Sequence, residues 1–177
     1  MPCEHVTIRN VTVHPLLDNL STNGVSIGSE MSGGVRHVRV ENVTAIGVEA
    51  GIYIKSMLGR GGYVTNVSYS NVLLLRVLQP IKIVMKYSYD AQVAPHVTNS
   101  PDVPLFDSIS IEHVRGQHCA SAGDIFGLAD VSIITNLLLH NVSISGALAQ
   151  AVTWTQCVAA QGRAVQVSPQ PSCLDSR

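Results

Sequence analysis

The sequence predicts an all-β solenoid, a parallel β-helix, and three observations carry that prediction. A six-residue pattern recurs five times, at residues 6–11, 38–43, 67–72, 109–114 and 137–142. A second strand-like series interleaves with it, at residues 24–29, 51–56 and 80–85. Both series advance by about one coil per copy. The fifth positions of the first series, Asn10, Asn42, Asn71, His113 and Asn141, lie 32, 29, 42 and 28 residues apart, and the second series steps by 27 and 29.

Within each copy of the first series, positions one and three are apolar and position two is usually polar, as in Val6, Thr7 and Ile8. That is the period of a strand with one buried face. The Asn or His at position five marks a bend, because Asn accepts left-handed backbone angles and hydrogen-bonds its own turn. The Val at position six returns to the core. In the second series the same alternation turns Val25, Ile27, Ile52, Ile54, Ile81 and Ile83 inward. Ser26, Tyr53 and Lys82 then form one outward row, and Gly28, Lys55 and Val84 the next. Helical repeats would space apolar residues by three and four, which neither series does, and β-branched residues dominate both. A single coil of this kind cannot bury its own face, so it must stack on its neighbours.

Two segments fall outside the repeat. Residues 86–105 contain three prolines and two tyrosines and are expected to be a loop inserted between coils, which accounts for the 42-residue step. Residues 157–177 are expected to form a C-terminal cap or tail, in which Cys157 and Cys173 bracket a Gly-, Ser- and Pro-containing stretch that a disulfide could staple. Cys3 and Cys119 read as unpaired or buried thiols. The whole of 1–177 is expected to be one β-helix domain.

Composition excludes several classes of function. Charged residues make up 13% and hydrophobic ones 46%, and the net charge is −1 with no basic block, so nucleic acid is not an expected partner. No apolar run approaches the roughly 20 residues of a membrane helix. The opening Met1-Pro2-Cys3-Glu4-His5 lacks the basic start and apolar run of a secretory signal, so the chain reads either as cytosolic or as lacking its natural beginning. The seven His residues show no metal-ligand spacing, and His113 and His140 occupy repeat positions, so turn or surface roles are expected and no metal. Glu30, Glu49 and Arg60 flank the outward rows, where turn bonds or ligand contacts are both open. Five Asn-x-Ser/Thr sequons, at Asn10, Asn19, Asn42, Asn66 and Asn141, are accounted for by the corner preference of the repeat.

Residues 23–35 read Asn-Gly-Val-Ser-Ile-Gly-Ser-Glu-Met-Ser-Gly-Gly-Val, and residues 51–62 read Gly-Ile-Tyr-Ile-Lys-Ser-Met-Leu-Gly-Arg-Gly-Gly. In order and spacing they resemble the latter half of plant- or algal-type polygalacturonases, the family 28 glycoside hydrolases. There a Gly-His-Gly-Ile-Ser-Ile-Gly-Ser stretch precedes Arg-Ile-Lys and then Gly-Arg-Gly-Gly. The resemblance implies a right-handed single-stranded parallel β-helix of the pectin-lyase type, truncated at its N-terminus. It also implies an acidic polysaccharide partner (pectin, polygalacturonate), no cofactor, a monomer when full-length, and an extracellular or cell-wall location.

Carried over residue by residue, Lys55 matches the family's substrate-binding lysine, Tyr53 stands where its arginine would be, and Asn23 where its histidine would be. Ser26 and Lys82 join them as outward neighbours, with Tyr53 offered as a stacking surface for a sugar ring and the lysines as partners of its carboxylate. The family's acid–base aspartates come from an Asn-Thr-Asp motif and an Asp-Asp pair, and neither occurs in this sequence. Inverting hydrolysis needs two carboxyl groups roughly 6.5–9.5 Å apart. No catalytic residue is therefore assigned, and the chain is expected to be a catalytically incomplete part of a pectin hydrolase. The alternative is a non-catalytic pectin-binding or structural β-helix.

Overall fold

A computed structural model of the protein describes residues 1–16, 22–86, 102–129, 131 and 134–176. Eleven strands run in chain order: β1 (Cys3–Val13), β2 (Asn23–Ile27), β3 (Val35–Ile46), β4 (Ala50–Lys55), β5 (Tyr63–Leu75), β6 (Gln79–Val84), β7 (Leu105–Gln117), β8 (Gly123–Phe126), β9 (Ile134–Ile144), β10 (Trp154–Val158) and β11 (Ala160–Ser168). Odd-numbered strands β1 to β9 and β11 form a six-stranded sheet in the order β1-β3-β5-β7-β9-β11. The other five form a second sheet in the order β10-β8-β6-β4-β2. Every pairing is parallel, so the chain alternates between two sheets and climbs one coil each time, as a parallel β-helix does.

Parallel register stacks equivalent residues on one another. Val38, Val67, Ile109 and Leu137 make one internal ladder, and Ile27, Ile54, Ile83, Ile125 and Cys157 make another across the core. The middle rungs are at most 5% exposed. Burial of each such side chain contributes on the order of 1.5–3 kcal/mol, gained only when the next coil is in place. The inward residues of end strand β1, Val6, Ile8, Val11 and Val13, are accordingly only half-buried.

The repeat is visible in the backbone. Asn10, Asn42, Asn71, His113 and Asn141 all have φ between +51° and +58°. The strands bend there without losing register, which is why the six-residue copies sit inside strands of 11 to 13 residues. Asn42 Nδ2 donates to Asn10 Oδ1 at 3.2 Å, so the corner is also a side-chain stack. A second left-handed column lies five residues earlier, at His5, His37, Asn66, Ser108 and Asn136. Asn10, Asn42, Asn66 and Asn141 of the sequons therefore all sit at corners, and Asn19 lies outside the described residues.

Of the loop expected over 86–105, residues 87–101 lie outside the described ones, and Leu105 already begins β7. The stretch 157–177 is more than a tail. It completes β10 and supplies the whole of β11, which pairs with β9 as the last strand of its sheet. Only the residues after Ser168 fold back on it. Cys157 and Cys173 are disulfide-bonded, Trp154 Nε1 donates to the Pro169 carbonyl at 2.9 Å, and Asp175 exchanges backbone bonds with Gly162 and Ala164. Cys3 is an exposed free thiol and Cys119 a buried one. Among the described residues no helix is long and apolar enough to cross a membrane.

Candidate functional site

The outer face of the five-stranded sheet gathers most of the residues singled out by sequence. Its register aligns Ser26, Tyr53, Lys82, Asp124 and Gln156 as one continuous row running from β2 to β10. Lys55, Val84, Phe126 and Val158 form the next row. Two glycines permit this spacing. Gly28 has φ of +93°, and a Cβ there would strike the Lys55 carbonyl; Gly123 has φ of +136°, and a Cβ there would strike the Ile81 carbonyl. The first lets the chain after β2 settle against Lys55, and the second lets β8 close up beside β6, holding Asp124 next to Lys82.

Tyr53 is the centre of this face but not its surface. It is 5% exposed and packs with Ala50 and Val84 in a small apolar cluster that Phe126 flanks. Lys55 Nζ lies 4.7 Å and Lys82 Nζ 4.8 Å from its ring centroid. Cation–π attraction of about 0.5–2 kcal/mol per contact thus gathers two ammonium groups over one ring. Tyr53 is expected from sequence to stack on a sugar ring; in the structure its ring is covered and seats the two lysines.

Lys82 is not a solvated outward lysine either. Its side chain is 17% exposed and its ammonium lies 3.5 Å from Glu49 Oε1, with Asp124 as its register partner on the other side. Asp124 is nearly buried, and burial pushes its carboxyl above the ordinary range while Lys82 opposes the shift. Its Oδ1 is buried and has no hydrogen-bond partner among the described residues. It lines a depression of about 140 Å³ together with Val84, Lys86, Phe126 and Gln156. A buried acceptor left without a donor costs on the order of 1–3 kcal/mol.

Asn23 opens β2, half-buried and paired with Ala50, and its Oδ1 is another buried acceptor with no hydrogen-bond partner among the described residues. Ser26 ends the row and is exposed. Glu30 and Arg60 pair with each other at 3.0 Å, and the Glu30 carboxyl is held low first by its own backbone amide and then by Arg60. Among the described residues this face carries no group of three His, Cys, Asp or Glu side chains close enough to share a metal ion.

Sequence reasoning missed Asp124 and Gln156. Gly123 occupies the rung where β4 and β6 have Ile, so the Ile-x-Ile signature of the second series is broken there. A signal was nonetheless present. The 42-residue step between Asn71 and His113, applied to Lys82, lands on Asp124.

Comparison with known proteins completes the description. Residues 6–166 match the family described as "Glycosyl hydrolases family 28". A probable polygalacturonase from Vitis vinifera is 30% identical over 178 residues, covering 97% of this chain and 33% of that protein. An exopolygalacturonase from Rhizopus delemar is 31% identical over 127 residues, 69% of this chain and 31% of that protein. The crystal structure of a hyperthermoactive exopolygalacturonase from Thermotoga maritima superimposes with a TM-score of 0.61 at 24% identity, over 86% of this chain and 31% of that one, and so supports the fold. The chain spans about one third of the length of these relatives.

Proposed function

The chain belongs to the glycosyl hydrolases of family 28, and from that premise we propose that its five-stranded sheet is the substrate-binding face of a pectin hydrolase. The substrate is α-1,4-linked galacturonan, cleaved with inversion, and this stretch of chain supplies binding groups while the acid–base pair comes from elsewhere. The observation that carries the reading is the gathering of the Lys55 and Lys82 ammonium groups over Tyr53 on one sheet face, in register with Ser26 and Asp124.

Galacturonan presents a carboxylate on every unit, and a positioned ammonium meets it with a charge-assisted hydrogen bond worth roughly 1.5–3 kcal/mol. Lys55 takes that role, with Tyr53 fixing its ammonium. Lys82, balanced by Glu49 and Asp124, orders the row and offers a weaker second contact. Asn23 and Ser26 offer hydroxyl-binding groups at one end, and Asp124 and Gln156 at the other. Hydrolysis by inversion requires two carboxyl groups roughly 6.5–9.5 Å apart, one protonated and one ionised. In this row Asp124 is the one carboxylate among the described residues, and Glu49 lies on the other side of its Lys82 neighbour. On this reading the protein acts outside the cell, at the cell wall.

A second reading rests on the same pair of lysines over Tyr53: a non-catalytic solenoid that holds acidic polysaccharide without cutting it. One experiment tests the binding face that both readings share. The chain is titrated with oligogalacturonates by calorimetry and assayed for reducing-end release between about pH 4 and pH 8. Binding that is lost in Lys55→Ala supports the binding face. Turnover by the chain alone would overturn the assignment of binding without cleavage, and absence of any affinity would overturn both readings.

A further inference from the structure

The six-stranded sheet carries a constellation that linear spacing hides. Glu112 on β7 and His140 on β9 are register partners, and His140 Nδ1 lies 3.5 Å from Glu112 Oε2. His113, next to Glu112 at the left-handed corner, brings its ring edge-on to that of His140 with centroids 5.6 Å apart. One ligand atom from each of the three side chains lies within 4.8 Å of the other two. We propose that Glu112, His113 and His140 form a binding site for a divalent transition metal of the Zn²⁺ class, which joins two neighbouring coils.

The chemistry of the donor set selects the ion. Two imidazoles and one carboxylate suit Zn²⁺, Ni²⁺, Co²⁺ or Cu²⁺, whereas Ca²⁺ and Mg²⁺ require oxygen ligands throughout. Bonds of about 2.0–2.2 Å place the donors of a tetrahedral ion roughly 3.4 Å apart, so the side chains must close by about 1 Å. They have room to do so: the side chains of Glu112 and His140 are 35% and 36% exposed, and His113 is exposed. The backbone does not have to move, because the β7–β9 register already holds the two coils together.

An outer contact supports the arrangement. The side-chain amide of Asn141 lies 2.8 Å from His113 Nδ1. The amide nitrogen Nδ2 is the atom that faces the ring, and this contact holds the His113 imidazole at the corner beside Glu112 and His140. The rival pair of histidines lacks this setting. His5 and His37 stack with centroids 5.0 Å apart, but the neighbouring carboxylate of Glu4 is taken by Arg36 at 2.5 Å. The sequence expectation of turn or surface roles for His113 and His140 thus omits what stacking of coils brings together.

The test is calorimetric titration of the chain with ZnCl₂ and NiCl₂ at neutral pH, with MgCl₂ as the negative control. A single saturable site in the micromolar range is expected, together with a rise in melting temperature on adding Zn²⁺. His113→Asn keeps the corner, since Asn occupies the same column at residues 10, 42, 71 and 141, and should weaken binding at least about tenfold. Glu112→Gln should weaken it similarly, and His5→Asn should leave it unchanged. Absence of saturation up to about 1 mM metal, or full affinity in a folded His113→Asn, would overturn the proposal.

Discussion

Lys82 faces Asp124 across adjacent strands of the five-stranded sheet, and its ammonium also lies 3.5 Å from Glu49 Oε1, so one cation serves two carboxylates. Burial outweighs that attraction at Asp124 and raises its carboxyl above the ordinary value of 3.8. Asp124→Asn removes a poorly solvated charge at constant shape. At neutral pH the variant should match or exceed wild-type stability, by up to about 1 kcal/mol. The folded chain holds this proton to higher pH than the unfolded one. Wild type therefore regains stability from this group as pH falls through the raised value toward 3.8, and the gap to the variant closes. Urea denaturation of both proteins across that window checks it; a deficit in the variant that persists in acid would mean that Asp124 holds a structural bond.

Replacing the two lysines should separate binding from stability. Lys82→Met leaves Glu49 and Asp124 without their shared cation and should cost about 1–3 kcal/mol of stability. Lys55→Met loses one cation–π contact, about 0.5–1 kcal/mol, but should lower affinity for oligogalacturonate by about tenfold or more. Paired denaturation and binding curves read the two effects. Equal losses of affinity with no difference in stability would argue that both lysines are surface charges.

Asn42 holds φ at +53° and donates to Asn10 Oδ1 across the corner. Valine is poorly tolerated at that angle and cannot make the bond, so Asn42→Val should cost about 1–2 kcal/mol. Asn42→Gly keeps the angle and should cost less than half as much, as measured by the shift in melting temperature.

The same corner explains what the sequence made legible. Asn10, Asn42, Asn71, His113 and Asn141 are a short list of residues that accept one backbone angle, so the coil period could be counted from them. Gln166 holds the corresponding corner of β11 with φ of +56°, and because Gln carries no such turn preference the last coil reads from sequence as a cap or tail. On the binding face, alternation placed Ser26, Tyr53 and Lys82 in one row, since parity is a local property of a strand. It could not foresee that Tyr53 would be covered, because burial of an outward residue depends on the neighbours that two further coils deliver. The juxtaposition of Glu112 with His140 has the same origin: only the register between β7 and β9 brings them together.

Asp107 tests the seam between those two strands. Its carboxylate accepts hydrogen bonds from Thr135 at 2.5 Å and Asn136 at 2.8 Å across the coil boundary, and from Ser108 at 2.7 Å. These bonds hold its carboxyl below the ordinary value of 3.8, Thr135 contributing most. Asp107→Asn should cost about 1 kcal/mol at neutral pH, a figure discounted for solvent screening at this half-exposed position. Because the folded value is depressed, the stabilisation is complete above 3.8 and is lost as pH falls through the lower folded value. Stability curves of variant and wild type should therefore converge in strong acid.

Tyr69 sits within the internal ladder Val40–Tyr69–Ile111–Leu139, 1% exposed, and its hydroxyl is buried with no hydrogen-bond partner among the described residues. Burial alone drives its phenol far above the ordinary range. An unmet hydroxyl in an apolar ladder costs about 1–3 kcal/mol, whereas the ring fills space that the coil needs. Tyr69→Phe keeps the ring and removes the cost, so it should leave stability unchanged or raise it by about 1 kcal/mol. Tyr69→Ala removes the ring as well and should cost about 3–5 kcal/mol. Denaturant titration of the two variants reads both terms. A loss above about 1 kcal/mol in Tyr69→Phe would show that the hydroxyl is satisfied in solution and helps to hold the coil.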